Sequence, residues 1–193
     1  MKQAVRERPN KRDFIIEEVS RIFYHRGIAV GVDTLADEIG IAKMTLYKHF
    51  PTKTDLIVAC LEYVDDRYMA RLQNGIRDVH DPDEKVLAIF DGLKAWFSTP
   101  NFRGCAFVNA TTELANSDHP VRSTVLAHKN KTRAWIKGLL EACKIVDSAK
   151  VAHQISQLME GAITMAHVED DPGAADVAKA TAAQILRASE RTQ

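Results

Sequence analysis

Cysteine is scarce. Cys60, Cys105 and Cys143 are the only three in 193 residues, and none are spaced as a C-x-x-C metal or redox motif. A disulfide-dense secreted scaffold is excluded, and a chain of this length buries enough surface to fold without covalent staples. Long apolar runs are missing too. The longest is six residues, Leu56 to Leu61, far below the roughly 20 of a membrane helix and too short for a secretory signal core. There is no excess of either charge: Lys+Arg is 26 and Asp+Glu is 26. That balance excludes a polybasic coating of nucleic acid and leaves room only for a local basic patch. Catalytic signatures are absent as well, with no G-x-S-x-G, no phosphate-cradling glycine loop and no H-E-x-x-H. His25, His49, His80, His119, His128, His153 and His167 are dispersed without metal-ligand spacing. Glu113 and His128 are a conceivable acid–base pair, but nothing in the sequence joins them. The expectation is a reduced cytoplasmic protein that is not an enzyme and carries neither cofactor nor metal.

What the chain has throughout is helical periodicity and helix punctuation. The first dozen residues set Lys2, Arg6, Arg8, Lys11 and Arg12 against the single acid Glu7, forming a basic arm. Asn10 caps a first helix with Asp13 in its first turn, and Ile15, Val19, Ile22 and Phe23 share an apolar face that ends at Gly27. A short second helix turns Val32, Leu35, Ala36 and Ile39 inward and closes at Gly40. A third runs from about Ala42 to His49, where Phe50-Pro51 stops it. Thr52-x-x-Asp55 has the form of a capping box, with Asp for the usual Glu, and opens a long helix to about Val79. Asp81-Pro82-Asp83-Glu84 starts the next, which places Val86, Ile89, Phe90, Leu93 and Phe97 inward and ends at Ser98-Thr99-Pro100. Gly104 precedes a shorter helix through Leu114. Further helices are expected over about 119–143, 148–167 and 173–189, the last after the turn Asp170-Asp171-Pro172-Gly173. The predicted fold is all-α with about nine helices and no sheet.

Three short helices behind a basic arm, the second and third separated by Gly40-Ile41-Ala42, have the proportions of a helix-turn-helix. On the third helix Leu46, Tyr47 and Phe50 share the face expected to pack on the other two. Met44, Thr45 and Lys48 lie opposite, where a helix in the major groove meets base edges. Met44 suits a thymine methyl and Lys48 a guanine O6/N7. Lys43, Tyr47, His49 and Lys53 fall near the edges and suit phosphate oxygens, which position a reader without conveying sequence. The competing reading is a solvated charged face on a small helical subdomain.

The run Leu35-Ala36-Asp37-Glu38-Ile39-Gly40-Ile41-Ala42-Lys43-Met44-Thr45-Leu46-Tyr47-Lys48-His49-Phe50, followed by Lys53, resembles the signature of the TetR/AcrR family of transcriptional regulators. The resemblance covers about Asn10 to Leu56. Ala42 replaces the usual capping Ser, a loss of about 1 kcal/mol. Met44 stands where Gly or Ala is common, so operator preference does not transfer. The resemblance implies a homodimer that binds a palindromic DNA operator, most simply as a repressor, and releases it on binding a small-molecule effector. It divides the chain into a DNA-binding domain over 1–51 and an effector-binding and dimerisation domain over 52–193.

From residue 56 onward there are 16 basic and 18 acidic residues, a near-neutral body behind a basic reader. Arg103-Gly104-Cys105-Ala106-Phe107-Val108-Asn109-Ala110 resembles a segment of one subset of these regulators. His128 and Thr132 interrupt an apolar stripe made by Val121, Val125, Ile136 and Leu139. Buried polar groups need partners, and either a ligand or another side chain would serve. Trp96, Phe97, Phe102, Cys105, Phe107, Asn109, His128, Thr132 and Trp135 are the candidate effector pocket, each aromatic also readable as plain core. Cys105, beside Arg103 near a helix start, is either a small apolar core residue or an electrophile sensor, a use known among family members. A sensing dimer with little DNA-reading role is the alternative function. Val151, Ile155, Leu158, Ala162 and Ala166, with Ala174, Ala178, Ala182 and Ile185, form two stripes that either close the protomer's core or make a dimer interface.

Overall fold

The computed structural model describes residues 10–114 and 119–192, so Lys2, Arg6, Glu7 and Arg8 of the basic arm lie outside the described residues. Among the described residues there are nine helices: α1 (Lys11–Arg26), α2 (Val32–Glu38), α3 (Lys43–His49), α4 (Lys53–Gly75), α5 (Pro82–Phe97), α6 (Ala106–Thr112), α7 (Pro120–Ala142), α8 (Ser148–Glu169) and α9 (Ala174–Ala188). No strand accompanies them. A single antiparallel bridge, Ile145 to Arg191, ties the chain's end to the turn after α7.

The helices start where local chemistry supplies a cap. Asn10 accepts from the Arg12 amide at 3.1 Å, and Asp81 accepts from the Glu84 amide at 2.9 Å ahead of Pro82. At α4 both halves of the box form, with Asp55 N donating to Thr52 Oγ1 at 3.1 Å and Thr52 N to Asp55 Oδ2 at 2.9 Å. α4 ends at Gly75 rather than near Val79. Past it the chain tightens into turns, Arg77 N donating to Asn74 O and Val79 N to Ile76 O, which bury Ile76.

α1 to α3 form one end of the molecule, and α5 to α9 form the other. α4 belongs to both. Its first turns bury Leu56, Ile57 and Cys60 beside Ile15, Ile16 and Val19 of α1. Each of these Leu, Ile and Val side chains contributes roughly 1.5–3 kcal/mol. The Cys60 thiol reaches Ile16 O at 3.7 Å, and burial pushes that thiol up to about 12, so it stays protonated.

Farther along, α4 meets α7 through a buried polar clamp. Asp65 Oδ1 lies 2.6 Å from His128 Nδ1, and its Oδ2 lies 2.7 Å from Lys131 Nζ. The His128 ring is 4% exposed and stacks on Phe107 with centroids 3.6 Å apart. Desolvation pushes the imidazole pKa below its ordinary 6.5, against the pull of Asp65, so His128 is neutral and donates. Burial opposes ionisation of Asp65, but the hydrogen bonds from His128 and Lys131 win and hold its carboxyl below the usual range. The folded chain therefore binds fewer protons than the unfolded chain at both groups. The His128 contribution to stability is complete above about pH 6.5 and is lost as pH falls below it. The Asp65 contribution is lost at more acid pH, below the usual carboxylate range. Thermal unfolding followed from pH 8 to pH 4 is expected to show Tm dropping first just below pH 6.5. In His128→Asn, whose amide keeps the donor without titrating, that first drop should disappear.

Candidate DNA-reading helix and the faces of the helical body

The turn that sets α3 is built by Gly40. Its φ of +67° suits glycine. Gly40 N donates to Asp37 O at 3.2 Å, and Ile41 N donates to Ala36 O at 3.0 Å. These paired bonds close α2 and redirect the chain into α3. Ala42 then caps α3 without a side-chain hydrogen bond. Leu46 and Phe50 are each 1% exposed and anchor α3 on its neighbours. Tyr47 departs from expectation: it is 38% exposed, at the rim of that face rather than within it. A short helix has only one fully enclosed line of side chains, and Leu46 with Phe50 fills it.

Met44 is 78% exposed, and Lys43 and Lys48 are also exposed, whereas Thr45 and His49 are half-buried. Lys43 pairs with Asp33 at 2.7 Å. Lys53 is half-buried at the start of α4, where burial pushes its ammonium pKa down against the opposing pull of Glu113. Of the basic arm, Lys11 lies 4.9 Å from the Phe14 ring centre and Arg12 lies 5.2 Å from that of Phe50, the residue that ends α3. An ion pair between Arg26 and Glu38 links α1 to α2.

The end of α1 also meets the segment around α6. Tyr24 Oη accepts from Arg103 N at 2.8 Å and donates to Gly104 O at 3.0 Å. Glu113 accepts from Ala29 N at 2.9 Å. Gly27, at φ +83°, has no room for a side chain, because a Cβ would sit 2.5 Å from Glu113 Oε1. The three-helix end is thereby joined to the body by α4 and by α6.

The expected pocket residues are brought together in two groups. Trp96, Phe97 and Phe102 form one cluster, Phe102 lying 5.0 Å from Trp96 and 4.9 Å from Phe97 between ring centres. Phe107 and His128 form the other, and Tyr68 bridges them, 6.1 Å from Trp96 and 5.2 Å from His128. Within these groups the polar atoms answer one another. The partner of His128 is Asp65, Thr132 Oγ1 lies 3.8 Å from Met69 Sδ, and Asn109 donates to Arg103 O at 2.9 Å. Cys105 is 9% exposed at the N-cap of α6. The cation beside its sulfur is Lys129, 3.5 Å away and also paired with Glu160, rather than Arg103. Trp135 is half-buried at the edge of the core. The sequence reading missed Asp65, Tyr68 and Lys129. An acid and a tyrosine three apart on α4 were a signal for the first two, but no spacing relates them to α7.

The stripes on α8 and α9 require a correction. Val151, Ile155, Ala162, Ala166, Ala178 and Ala182 are buried inside the protomer and offer little or no surface to a partner. Two apolar stripes run along α8, and periodicity cannot say which one faces inward. The outer stripe consists of Leu158, Gly161, Met165 and Val168, with Val177 and Thr181 on α9; Met165 is 45%, Val168 74% and Val177 70% exposed. Ala162, Ala174 and Ala178 line the groove of about 350 Å³ between these two helices, and Ile185 is half-buried farther along α9.

Comparison with known proteins agrees with this architecture from end to end. The family model "Bacterial regulatory proteins, tetR family" matches residues 15–60, and "Tetracyclin repressor-like, C-terminal domain" matches residues 82–182. The HTH-type transcriptional regulator YjdC of Escherichia coli is 23% identical over 92% of this chain and 94% of its own. The HTH-type transcriptional activator FasR of Mycolicibacterium smegmatis is 30% identical over 45% of this chain and 40% of its own. The crystal structure of a TetR-family regulator from Streptomyces coelicolor superposes with a TM-score of 0.83 at 30% identity, covering 91% of this chain and 94% of that one. With a helix-turn-helix at one end, a matching helical body at the other and a full-length structural counterpart, the chain belongs to the TetR family of DNA-binding transcriptional regulators.

Proposed function

We propose that the protein is a homodimeric repressor that reads an inverted-repeat operator with α3 and leaves it when a small-molecule effector binds the body. The observation that carries this reading is the division of α3: Leu46 and Phe50 are locked inside while Met44 and Lys48 project into solvent. A helix so anchored can enter the major groove without distortion. Met44, Thr45 and Lys48 then meet base edges, and Lys43, Tyr47, His49 and Lys53 meet phosphates. Lys43 exchanges Asp33 for a phosphate. Selection and sequencing of DNA retained at ~0.15 M salt should return an inverted repeat. Half-sites one turn apart correspond to recognition helices about 34–36 Å apart. Lys48→Ala is expected to weaken that site by about 1–3 kcal/mol and relax preference at one base. Lys43→Ala should weaken all sequences alike and reduce the salt slope by about 1. Recovery of no motif from the folded dimer would favour a sensing dimer without a DNA-reading role.

Dimerisation is assigned to the outer stripe of α8 and α9. Small residues at Gly161 and Ala174 permit close approach, and Leu158, Met165 and Val177 supply apolar area for an isologous four-helix contact. Sedimentation of Met165→Glu/Val177→Asp should give the 21.5 kDa protomer, with operator binding lost in parallel. A dimer surviving both carboxylates would move the interface elsewhere.

A second reading concerns the signal. The observation behind it is Lys129 Nζ at 3.5 Å from Cys105 Sγ, a cation placed to receive the polar end of an electrophile that reacts at that sulfur. An alkylating agent should then release operator from the wild type and leave Cys105→Ser bound.

A further inference from the structure

A cleft of about 320 Å³ opens where α1, α4 and α5 meet, outside the aromatic groups described above apart from Trp96 and Tyr68. Three guanidinium groups line it, Arg21 from α1 and Arg67 and Arg71 from α4. Arg21 is paired with Glu18 at 2.7 Å. Arg67 and Arg71 are differently placed. Arg67 lies 5.4 Å from the Tyr63 ring centre and donates to its hydroxyl at 2.9 Å, and Arg71 lies 5.2 Å from the Trp96 ring centre. Neither has a carboxylate within ion-pair distance among the described residues. Tyr68 also lines the cleft, and its hydroxyl makes no hydrogen bond to a described residue.

The geometry points to this cleft as a binding site for a small aromatic monocarboxylate. A guanidinium resting on an indole presents its edge, and that edge matches a carboxylate with two parallel hydrogen bonds. Tyr68 and Trp96, with ring centres 6.1 Å apart and steeply inclined, offer an aromatic wall for the ligand's ring. The Tyr68 hydroxyl is a second donor for the acid. The charge count selects the valence. Glu17 and Glu18 stand on the α1 rim with Arg21, and Arg67 and Arg71 come from α4; three arginines against two glutamates leave one net positive charge, which suits a monoanion and disfavours phosphates of higher charge. The volume, near the lower end for ligand pockets, admits one or two fused rings.

The cleft also has a regulatory position. One wall is α1, which carries the reader; the others are α4 and α5. An occupant bridging Arg21 and Arg71 fixes α1 relative to α4, so it biases reader placement whenever the DNA-bound form holds the cleft differently. That consequence rests on the effector reading proposed above, whereas binding itself does not.

The test is isothermal titration of the full-length protein with benzoate, phenylacetate and indole-3-acetate, each beside its neutral amide. At least one acid should bind once per protomer, with its amide at least about 10-fold weaker. Arg71→Gln should weaken the acid about 10-fold or more, and Arg71→Lys, which keeps charge but not the fork, should fall between. Arg71 is exposed, so both variants should fold, checked by their helical circular dichroism and Tm. Absence of saturable binding by all three acids, or equal binding to wild type and Arg71→Gln, overturns the site. Operator release measured alongside separates the two ideas. An acid that binds through Arg71 without changing operator affinity upholds the site and removes its regulatory role. Release that persists in Arg71→Gln places the effector elsewhere.

Discussion

The seating of α4 on α1 is the constraint from which the rest of the structure follows. The capping box at Thr52 and Asp55 starts α4 within a few residues of the end of α3, and Leu56, Ile57 and Cys60 are driven into the same apolar cluster as Ile15, Ile16 and Val19. The helix is 23 residues long in all, a rod of about 35 Å, and its later turns enter a region with different packing partners. Its far half carries Asp65, Tyr68, Met69 and Arg71. A rotation of α4 that suited those contacts would have to be accommodated by the buried contacts with α1, because close-packed interiors shift between discrete arrangements rather than deform smoothly.

Among the described residues, the polar side chains around His128 are partnered by the body's own groups. His128 could have been a group awaiting a ligand, but Asp65 supplies its hydrogen bond, Lys131 balances the acid and Phe107 covers the ring. With His128 neutral and Lys131 at the surface, the buried part of the clamp is one hydrogen bond, which adds little net stability, but removing His128 leaves the Asp65 carboxylate short of a partner at a larger cost. The clamp therefore specifies which turn of α4 faces which turn of α7 more than it adds strength. Space for a ligand lies instead at the seam with α1, where charged side chains remain partly wet and their interactions can be exchanged.

The link between that seam and the reader is doubled. Tyr24 and Glu113 hold the segment around α6 to the end of α1 and the turn after it, independently of the hydrophobic contact with α4. Gly27 makes the second link possible by leaving room for the Glu113 carboxylate. Under the proposed dimer, the outer stripe of α8 and α9 supplies the fixed reference against which both links position the two readers.

Nearly all of the secondary structure was legible in the sequence because its signals are local. Caps at Asn10, Thr52 and Asp81, the turn at Gly40 and apolar periodicity each act within a few residues, and the helices lie where those signals place them. The boundary that moved most, at the end of α4, depends on burying Ile76 in a turn, a tertiary gain that no local propensity reports. The inward anchors Leu46 and Phe50 and the outward Met44 and Lys48 were legible for the same reason, since a seven-residue helix has only one way to hide two large side chains. The partners of His128 and Cys105 and the division of the α8 stripes were not. Asp65 is 63 residues from His128 and Lys129 is 24 from Cys105, and amphipathic periodicity marks an apolar stripe without naming what covers it. Sequence alone determined the elements and which face of α3 is left exposed. Only the tertiary structure decided which buried polar groups meet, which stripe remains outside and where a cleft stays open, because those are properties of how helices pack on one another rather than of any helix by itself.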